Sequence, residues 1–190
     1  SAQAQPVIIK QVMAKVQEVI ANIAPHDSVE RFTQLGATVY RGYGSFVDEQ
    51  RVKVNDDIIS AKYFIIATGS SPVVPPIAGL DQVNYLTNET IFNLEETPEH
   101  LLVIGGGPIG CELAQAFLML GIKVSVLNLG KILPHDEIDL VAELRQNMLT
   151  QGLNLYEDIK ILKIKQNVSQ QIEITIEING NEQIITGSHL

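Results

Sequence analysis

Three glycines in the second half of the chain share one turn and have a regular spacing. Gly105, Gly107 and Gly110 follow the apolar run Leu101–Ile104 and open a segment of helical periodicity, so a strand, a tight turn and a helix succeed one another. In such a turn the first glycine permits the bend, the second lets the backbone approach a pyrophosphate, and the third lets helix and strand pack closely. The pattern predicts a dinucleotide site, because a plain strand-to-helix turn needs one glycine rather than three.

The start of the predicted helix adds two residues to this site. Pro108 stands at the first helical position, where it removes an amide that would lack a partner and presets φ. Ile109 follows it, and the unpaired amides of this first turn, together with the positive end of the helix dipole, would face the phosphates. The predicted phosphate-binding residues are Gly105, Gly107, Pro108, Ile109 and Gly110.

The end of the following strand carries the residues that would recognise the adenosine ribose. About 20 residues past the glycines, a carboxylate binds the 2′-hydroxyl of NAD and an arginine favours the 2′-phosphate of NADP. This chain has Asn128 there, with Lys131 in the loop that follows. Asparagine can bind a ribose hydroxyl without repelling a phosphate, and Lys131 supplies one positive charge. NAD and NADP both stay open, with NAD slightly favoured because the loop contains no arginine.

Composition excludes several classes of protein. The 190 residues allow one large domain or two small ones, and Leu, Ile, Val and Phe make up about a third of them, so the chain should fold. A net charge of -9 has the wrong sign for a nucleic-acid partner. No apolar run approaches the roughly 18 to 20 residues of a membrane span and no signal peptide is evident, so we expect a soluble, cytoplasmic chain without a membrane partner.

Few side chains could support thiol or metal chemistry. Cys111 is the single cysteine, which excludes an internal disulfide, a CxxC pair or a multi-thiolate zinc site built from this sequence. A helix N-terminus could lower its pKa, but packing against the neighbouring strand is the favoured role. Residues 135–139, with the sequence HDEID, include metal-capable side chains, yet the same residues suit the start of a helix. We therefore expect no metal site.

Periodicity predicts an α/β chain. Residues 7–23 form an amphipathic helix, a short capped helix ends at Gly36, and residues 39–59 form short antiparallel strands. The continuous apolar run Tyr63–Ala67 predicts a strand buried on both faces. An irregular connector follows, with one helical turn near residues 90–94.

The second half alternates strands and helices. The order βαβα over residues 101–150 implies a parallel sheet with right-handed crossovers. After Leu155, three runs alternate apolar and polar residues, and Asn179-Gly180 joins the last two as a tight hairpin turn. These runs predict a small antiparallel meander that covers one face of the sheet. The domain boundary is expected near Gly79.

Two segments of the chain resemble those of one flavoprotein family. They are Ile65–Pro72, with the sequence IIATGSSP, and Leu101–Ala114, with the sequence LLVIGGGPIGCELA. At this separation they resemble the middle of a pyridine nucleotide-disulphide oxidoreductase, and mercuric reductase-like and dihydrolipoamide dehydrogenase-like members are the most similar. The resemblance implies a Rossmann-like fold with a partial FAD-binding domain over residues 1–79 and an NAD(P)-binding domain over residues 80–190.

The resemblance also implies contacts with two cofactors. In the family, the fingerprint glycines hold the pyrophosphate of NAD(P). Two further segments of the family lie against FAD. In this sequence those segments match Tyr43, Gly44, Ala67, Thr68 and Gly69.

Glu112 is the one residue for which the resemblance implies a catalytic role. It matches a helix glutamate that pairs with a lysine beside the flavin, near the place where the nicotinamide stacks. The alternative is a first-turn carboxylate that the helix dipole stabilises, and the two carry equal weight because the chain has no matching lysine. Pro108 also departs from the family, where many members have an aromatic residue that gates the nicotinamide pocket.

The resemblance implies a longer parent enzyme. The FAD glycine fingerprint, the CxxxxC redox pair and the flavin-side lysine are expected before Ser1, and the dimerisation domain with its catalytic histidine is expected after Leu190. The implied activity is hydride transfer from NAD(P)H to FAD, then reduction of a disulfide that passes electrons to a disulfide or a metal ion. The parent would be a homodimer, while the present chain would be a monomer that binds NAD(P) without turnover. The alternative is a stand-alone NAD(P)-sensing module.

Overall fold

The computed structural model describes residues 7–190, which divide into two compact units. The smaller unit is Val16–Ser71, and the larger unit combines the described residues up to Lys15 with Pro72–Leu190. Among residues 7–190 no helix combines the length and the apolar character that a bilayer crossing requires.

The smaller unit contains one long helix, one short helix and a three-stranded meander. Its elements are α1 (Ile9–Ile23), which begins in the larger unit, α2 (Val29–Gln34), β1 (Gly44–Asp48), β2 (Arg51–Val54) and β3 (Asp57–Ser60). The Ser28 hydroxyl caps α2 by accepting a hydrogen bond from the Arg31 amide at 3.2 Å. The strands pair antiparallel in the order β1-β2-β3, which confirms the predicted short strands.

The run Tyr63–Ala67 is not a strand. It pairs with no strand among the described residues, and the side chain of Ile65 is 94% exposed. A strand buried on both faces needs a neighbour on its edge and a layer over each face, whereas β1 to β3 pair only with one another. One contact ties the run to the meander, the edge-to-face packing of Phe46 on Phe64 with ring centroids 5.3 Å apart. The predicted buried strand is therefore wrong for this structure.

The larger unit is built on a parallel sheet. Its strands and helices are β4 (His100–Ile104), α3 (Pro108–Met119), β5 (Lys123–Leu127), α4 (Ile138–Thr150) and β6 (Asn154–Tyr156). The strands pair in the order β4-β5-β6, as the alternation of strands and helices predicts. On the free edge of β4, His189 forms a parallel bridge with Leu101 and accepts a hydrogen bond from the Leu102 amide at 2.8 Å. The last residues thus lie beside β4 in parallel.

An antiparallel meander covers one face of this sheet. Its strands are β7 (Lys160–Gln166), β8 (Ile172–Ile178) and β9 (Asn181–Gly187). Leu102 and Leu127 of the parallel sheet join the isoleucines of the meander in one apolar core. Asn179 and Gly180 both have positive φ, 51° and 76°, as the predicted two-residue hairpin turn requires.

Ser188, directly after β9, connects the end of this meander to the start of β4. Ser188 Oγ accepts hydrogen bonds from the amides of Glu99 at 3.0 Å and His100 at 3.1 Å. The neighbouring side chain of His100 reaches across the sheet, where its Nε2 lies 2.8 Å from the hydroxyl of the fully buried Ser125. These contacts hold the amino-terminal edge of the sheet together, opposite the glycine turn.

The connector between the two halves packs onto the meander. The Ile164 amide donates a hydrogen bond to the carbonyl of Ala78 at 2.8 Å, and a Cβ on Gly79 would lie only 2.1 Å from the Ile164 carbonyl oxygen. The predicted helical turn near residues 90–94 is present as a short 3-10 helix, Ile91–Asn93. The connector from Pro72 onward thus belongs to the larger unit.

Candidate nucleotide-binding site

The glycine turn joins the carboxyl end of β4 to the start of α3. Gly105 has φ +111°, in the region that favours glycine, and its amide donates to the Leu127 carbonyl at 2.9 Å. A Cβ on Gly110 would lie 2.2 Å from the Gly105 carbonyl oxygen, so only glycine permits this approach of helix and strand. The third glycine therefore has the packing role that its position in the motif predicts.

The first turn of α3 presents unpaired amides. No residue in the 7–190 range accepts a hydrogen bond from the amides of Gly107, Ile109 or Gly110, whereas the Cys111 amide donates to the Gly107 carbonyl at 3.0 Å. A Cβ on Gly107 would meet no atom within 4 Å, which shows that space lies beside the turn. Unpaired amides at the positive end of a helix are suited to an anionic ligand such as a pyrophosphate.

These residues line a cavity of about 370 Å³ in the larger unit. Gly105, Pro108 and Ile109 form one part of its wall, and apolar side chains, including those of Leu101 and Leu190, form much of the rest. A cavity of this size with a few polar groups is typical of small-molecule sites. The turn opens onto space rather than being filled by side chains, so a pyrophosphate fits the residues present.

Asn128 connects the glycine turn to the loop that follows β5. Its Oδ1 accepts a hydrogen bond from the Gly106 amide at 2.9 Å, and its Nδ2 donates to the carbonyls of Gly130 at 3.0 Å and Lys131 at 2.8 Å. A Cβ on Gly106 would lie 2.6 Å from Ile132 Cγ2, so the turn and the loop are in close contact. Asn128 thus positions the glycine turn against this loop, a role that the sequence analysis did not predict.

Glu157, directly after β6, holds the same loop, and no local sequence pattern predicts this role. The Glu157 side chain is 6% exposed. Its Oε1 accepts from the Ile132 amide at 3.0 Å, and its Oε2 accepts from Nε and Nη2 of Arg145 at 3.1 and 2.7 Å. Burial would raise the pKa of Glu157, but the hydrogen bonds from Ile132 and Arg145 outweigh it and hold the pKa below its usual value.

Lys131 is engaged by two carboxylates. Its Nζ lies 2.6 Å from Asp158 Oδ2 and 3.7 Å from Glu157 Oε2. The hydrogen bond to Asp158 and the charge of Glu157 raise the pKa of Lys131. The positive charge predicted for a 2′-phosphate is therefore already paired within the protein.

Glu112 is exposed and is the fifth residue of α3, because the helix begins at Pro108. The first turn of α3 contains no acidic residue. The alternative interpretation of Glu112, as a first-turn carboxylate that the helix dipole stabilises, is therefore wrong. Glu112 lines a second cavity of about 230 Å³ together with Cys111 and Asp136.

Cys111 is buried, at 4% exposed, and its Sγ lies 3.5 Å from the Gly106 carbonyl oxygen. Burial, with the charges of Asp136 and Glu157, raises the pKa of its thiol. These contacts agree with the predicted packing role. In the described part of the chain, no three His, Cys, Asp or Glu side chains gather as a metal site would require.

The residues expected to contact FAD lie in the smaller unit. Tyr43 is fully exposed, Gly44 opens β1, and residues 67–69 are exposed and lie outside any helix or strand. Gly69 has φ +68°. These groups are accessible to a ligand.

The parallel sheet and the glycine turn at the carboxyl end of β4 define a fold of the dinucleotide-binding class. The model of the family "Pyridine nucleotide-disulphide oxidoreductase" matches residues 3–189, and the chain belongs to this family. Members of the family use FAD and NAD(P)H. The prediction of the family from the two sequence segments is confirmed.

Known relatives and structures agree with this assignment. The chain is 39% identical to mercuric reductase from Staphylococcus aureus over 158 residues, which is 83% of this chain and 29% of that protein. It is 30% identical to dihydrolipoyl dehydrogenase from Acholeplasma laidlawii over 157 residues, 80% of this chain and 45% of that protein. The crystal structure of LpdA from Mycobacterium tuberculosis shares the fold, with a TM-score of 0.79, 24% identity, and coverage of 97% of this chain and 42% of that one.

The chain thus spans less than half the length of these relatives.

Proposed function

We propose that this chain is the nicotinamide-nucleotide-binding part of an FAD-dependent oxidoreductase and that the turn Gly105–Gly110 holds the pyrophosphate of NAD(P). The observation that carries the proposal is the set of three unpaired amides, those of Gly107, Ile109 and Gly110, beside a cavity of about 370 Å³. An anion at this position would replace water as the acceptor for these amides and would meet the positive end of α3.

Each residue of the turn has a distinct task in this proposal. Gly107 leaves room for the phosphates because it has no Cβ, while Gly110 lets α3 lie against the turn. Asn128 holds the Gly106 amide and so orients the turn. Pro108 and Ile109 line the same cavity as the glycines of the turn.

In the whole enzyme, bound NAD(P)H would supply a hydride that FAD accepts, and a redox disulfide would pass the electrons to a disulfide or a metal ion. Glu112 would stand on α3 near the flavin, and Tyr43, Gly44 and residues 67–69 would contact FAD. The domain assignment is that residues 1–79 contribute to the FAD-binding domain and residues 80–190 form the NAD(P)-binding domain. Because the CxxxxC pair is not in this sequence, the chain alone would bind NAD(P) without turnover.

Three other expectations remain predictions. They are a homodimeric parent enzyme, a monomeric chain for the present 190 residues, and a cytoplasmic location. The alternative of a stand-alone NAD(P)-sensing module is less well supported, because the family model extends over the smaller unit as well as over the nucleotide site.

Calorimetric titration of the chain with NADH and NADPH tests the proposal. We expect binding of at least one of the two, and we expect Gly107→Val to weaken it by about tenfold or more, because the new side chain would occupy the phosphate position. The backbone at Gly107 has φ -76° and open space around it, so this variant should fold. Ser169→Val, which replaces a hydroxymethyl group by an isopropyl group in an exposed turn, is the control.

Absence of heat with both nucleotides at millimolar concentration would contradict the proposal, as would equal binding by Gly107→Val and the unchanged chain.

A further inference from the structure

A nicotinamide nucleotide carries either a 2′-hydroxyl or a 2′-phosphate on its adenosine ribose. The loop after β5 determines which of these two nucleotides the proposed site binds more tightly. Nucleotides with a 2′-phosphate need a cation in this loop, while a 2′-hydroxyl needs an acceptor. The relevant residues run from Asn128 to Ile132, and Glu157 and Asp158 lie beside them. The hydrogen bonds and ion pairs of these groups show whether the loop offers the ligand an unpaired cation or a hydrogen-bond acceptor.

The cations of this region are already paired. Lys131 and Arg145 are the only Lys or Arg residues between positions 128 and 158 of the sequence, and six carboxylates accompany them. Arg145 donates through two nitrogens to one oxygen of Glu157, at 3.1 and 2.7 Å. Lys131 lies 2.6 Å from Asp158. A 2′-phosphate, with a charge of about -1.5 to -2, would compete with Asp158 and Glu157 for Lys131 and with Glu157 for Arg145.

Asn128 provides an acceptor but no donor. Both hydrogens of its Nδ2 are used, at the carbonyls of Gly130 and Lys131. Its Oδ1 accepts one hydrogen bond, from Gly106, and an amide oxygen can accept a second. A ribose hydroxyl can donate to this oxygen, whereas a phosphate has only acceptor oxygens to offer. The loop is therefore complementary to the 2′-hydroxyl.

We propose that this site selects NADH over NADPH and that Asp158, with Glu157, sets the selectivity by engaging Lys131. The inference rests on the proposed function, because it requires that the turn Gly105–Gly110 bind a nicotinamide nucleotide. Asp158 and Glu157 are positioning residues in this account. They act on the ligand through Lys131 and through the negative potential around the ribose.

The test measures dissociation constants of NADH and NADPH by calorimetry for the 190-residue chain and three variants. The unchanged chain should bind NADH about tenfold more tightly than NADPH. Asp158→Asn releases Lys131 and removes one repulsive charge, so NADPH affinity should rise by about fivefold while NADH affinity changes by less than about twofold. Asp158 has φ +55°, a region that asparagine tolerates well, so this variant should keep the backbone.

Two further variants distinguish the release of Lys131 from the general effect of removing one negative charge. Lys131→Ala combined with Asp158→Asn should lose most of the gain in NADPH affinity, because the released cation is gone. Glu177→Gln removes the same charge from an exposed pair with Lys160 on the meander, and it should leave both constants unchanged. Higher salt should weaken NADPH binding to Asp158→Asn more than NADH binding.

Each contrary result has a distinct meaning. Equal or tighter binding of NADPH by the unchanged chain would overturn the inference and leave the proposed nucleotide site standing. A preference for NADH that Asp158→Asn does not relax would overturn the role of Asp158. Failure of both nucleotides to bind would overturn the proposed function, and the inference with it.

Discussion

The side chain of Asn128 accepts a hydrogen bond from the backbone amide of Gly106 at 2.9 Å, across 22 positions of sequence. This contact means that one amide of the glycine turn is not available to a ligand, because the protein itself uses it to hold the turn against the loop after β5. The amides that stay unpaired are those of Gly107, Ile109 and Gly110. The protein's own hydrogen bond thus orients the turn.

Replacement of Asn128 should disturb both stability and binding. Asn128→Ala leaves the Gly106 amide and two loop carbonyls without their partner, so we expect a loss of about 1 to 3 kcal/mol in unfolding free energy and weaker NADH binding. Urea denaturation and calorimetry measure the two effects. Asn147→Ala is the control, because Asn147 is exposed and its Oδ1 accepts a hydrogen bond from Nε2 of the nearby Gln151. Equal stability of the two variants would refute the positioning role of Asn128.

Replacement by alanine should destabilise the protein at Gly110 and should have little effect at Gly107. Gly110→Ala would bring a Cβ to 2.2 Å from the Gly105 carbonyl oxygen, so α3 must move and we expect destabilisation of about 2 to 4 kcal/mol. Gly107→Ala meets no neighbouring atom and should change stability by less than about 1 kcal/mol. Thermal unfolding of the two variants, side by side, measures the difference. Similar midpoints would show that the close approach at Gly110 is not obligatory.

Glu157 should make the stability of the chain fall in acid. Its pKa in the folded state lies below the unfolded value, so its contribution is complete above the unfolded pKa of about 4.3 and is lost as the pH falls through the folded pKa. Glu157→Gln should lower the unfolding free energy at pH 7 by about 1 to 3 kcal/mol and should flatten this acid limb. Denaturant titrations between pH 7 and pH 3.5 follow both changes.

Glu177→Gln again serves as the control, because its pair with Lys160 is exposed and should contribute less than about 1 kcal/mol. An acid limb in Glu157→Gln as steep as that of the unchanged chain would assign the effect to other carboxylates.

His100 should produce a second pH dependence, at higher pH. Burial, with the charge of Lys123, lowers the pKa of His100, and burial also lowers the pKa of His189. Both rings are therefore neutral in the fold at a pH where the unfolded chain takes up protons, so stability should decrease as the pH falls below about 6.5. Unfolding free energies from pH 8 to pH 5.5 measure the slope. A double replacement by glutamine, His100→Gln with His189→Gln, should reduce the slope, and an unchanged slope would contradict the assignment.

Cys111 should react slowly with thiol reagents in the folded chain. Its side chain is 4% exposed and burial raises the pKa of its thiol, so little thiolate is accessible at pH 8. Absorbance of the released thionitrobenzoate should rise slowly with native protein, at least about a hundredfold more slowly than with free glutathione, and quickly after unfolding. A native rate close to that of glutathione would show that the thiol is accessible.

Much of the larger unit could be predicted from the sequence because its signals are local. The apolar run Leu101–Ile104, the spaced glycines and the helical periodicity after Pro108 are adjacent in the chain, and together they specify a strand, a turn and a helix. The turn at Asn179-Gly180 is equally local. In each case the residues that specify the element lie within the same short segment of the chain.

The network around Lys131 could not be predicted, because it joins residues that only the fold brings together. Glu157 contacts the amide of Ile132, which is 25 positions earlier, and the guanidinium of Arg145, which is 12 positions earlier. The prediction of a buried strand at Tyr63–Ala67 was wrong for a related reason. The sequence shows that this run is hydrophobic, but its burial depends on neighbouring strands, and β1 to β3 do not pair with it.

The hydroxyl of Ser188 has a consequence for synthesis of the protein. It completes the start of β4 by accepting from the amide of His100, 88 positions earlier in the chain. A ribosome adds about 5 to 20 residues per second, so Ser188 is synthesised about 4 to 18 seconds after His100. During that interval the first strand of the parallel sheet has an unpaired edge, and an unpaired edge can pair with another chain.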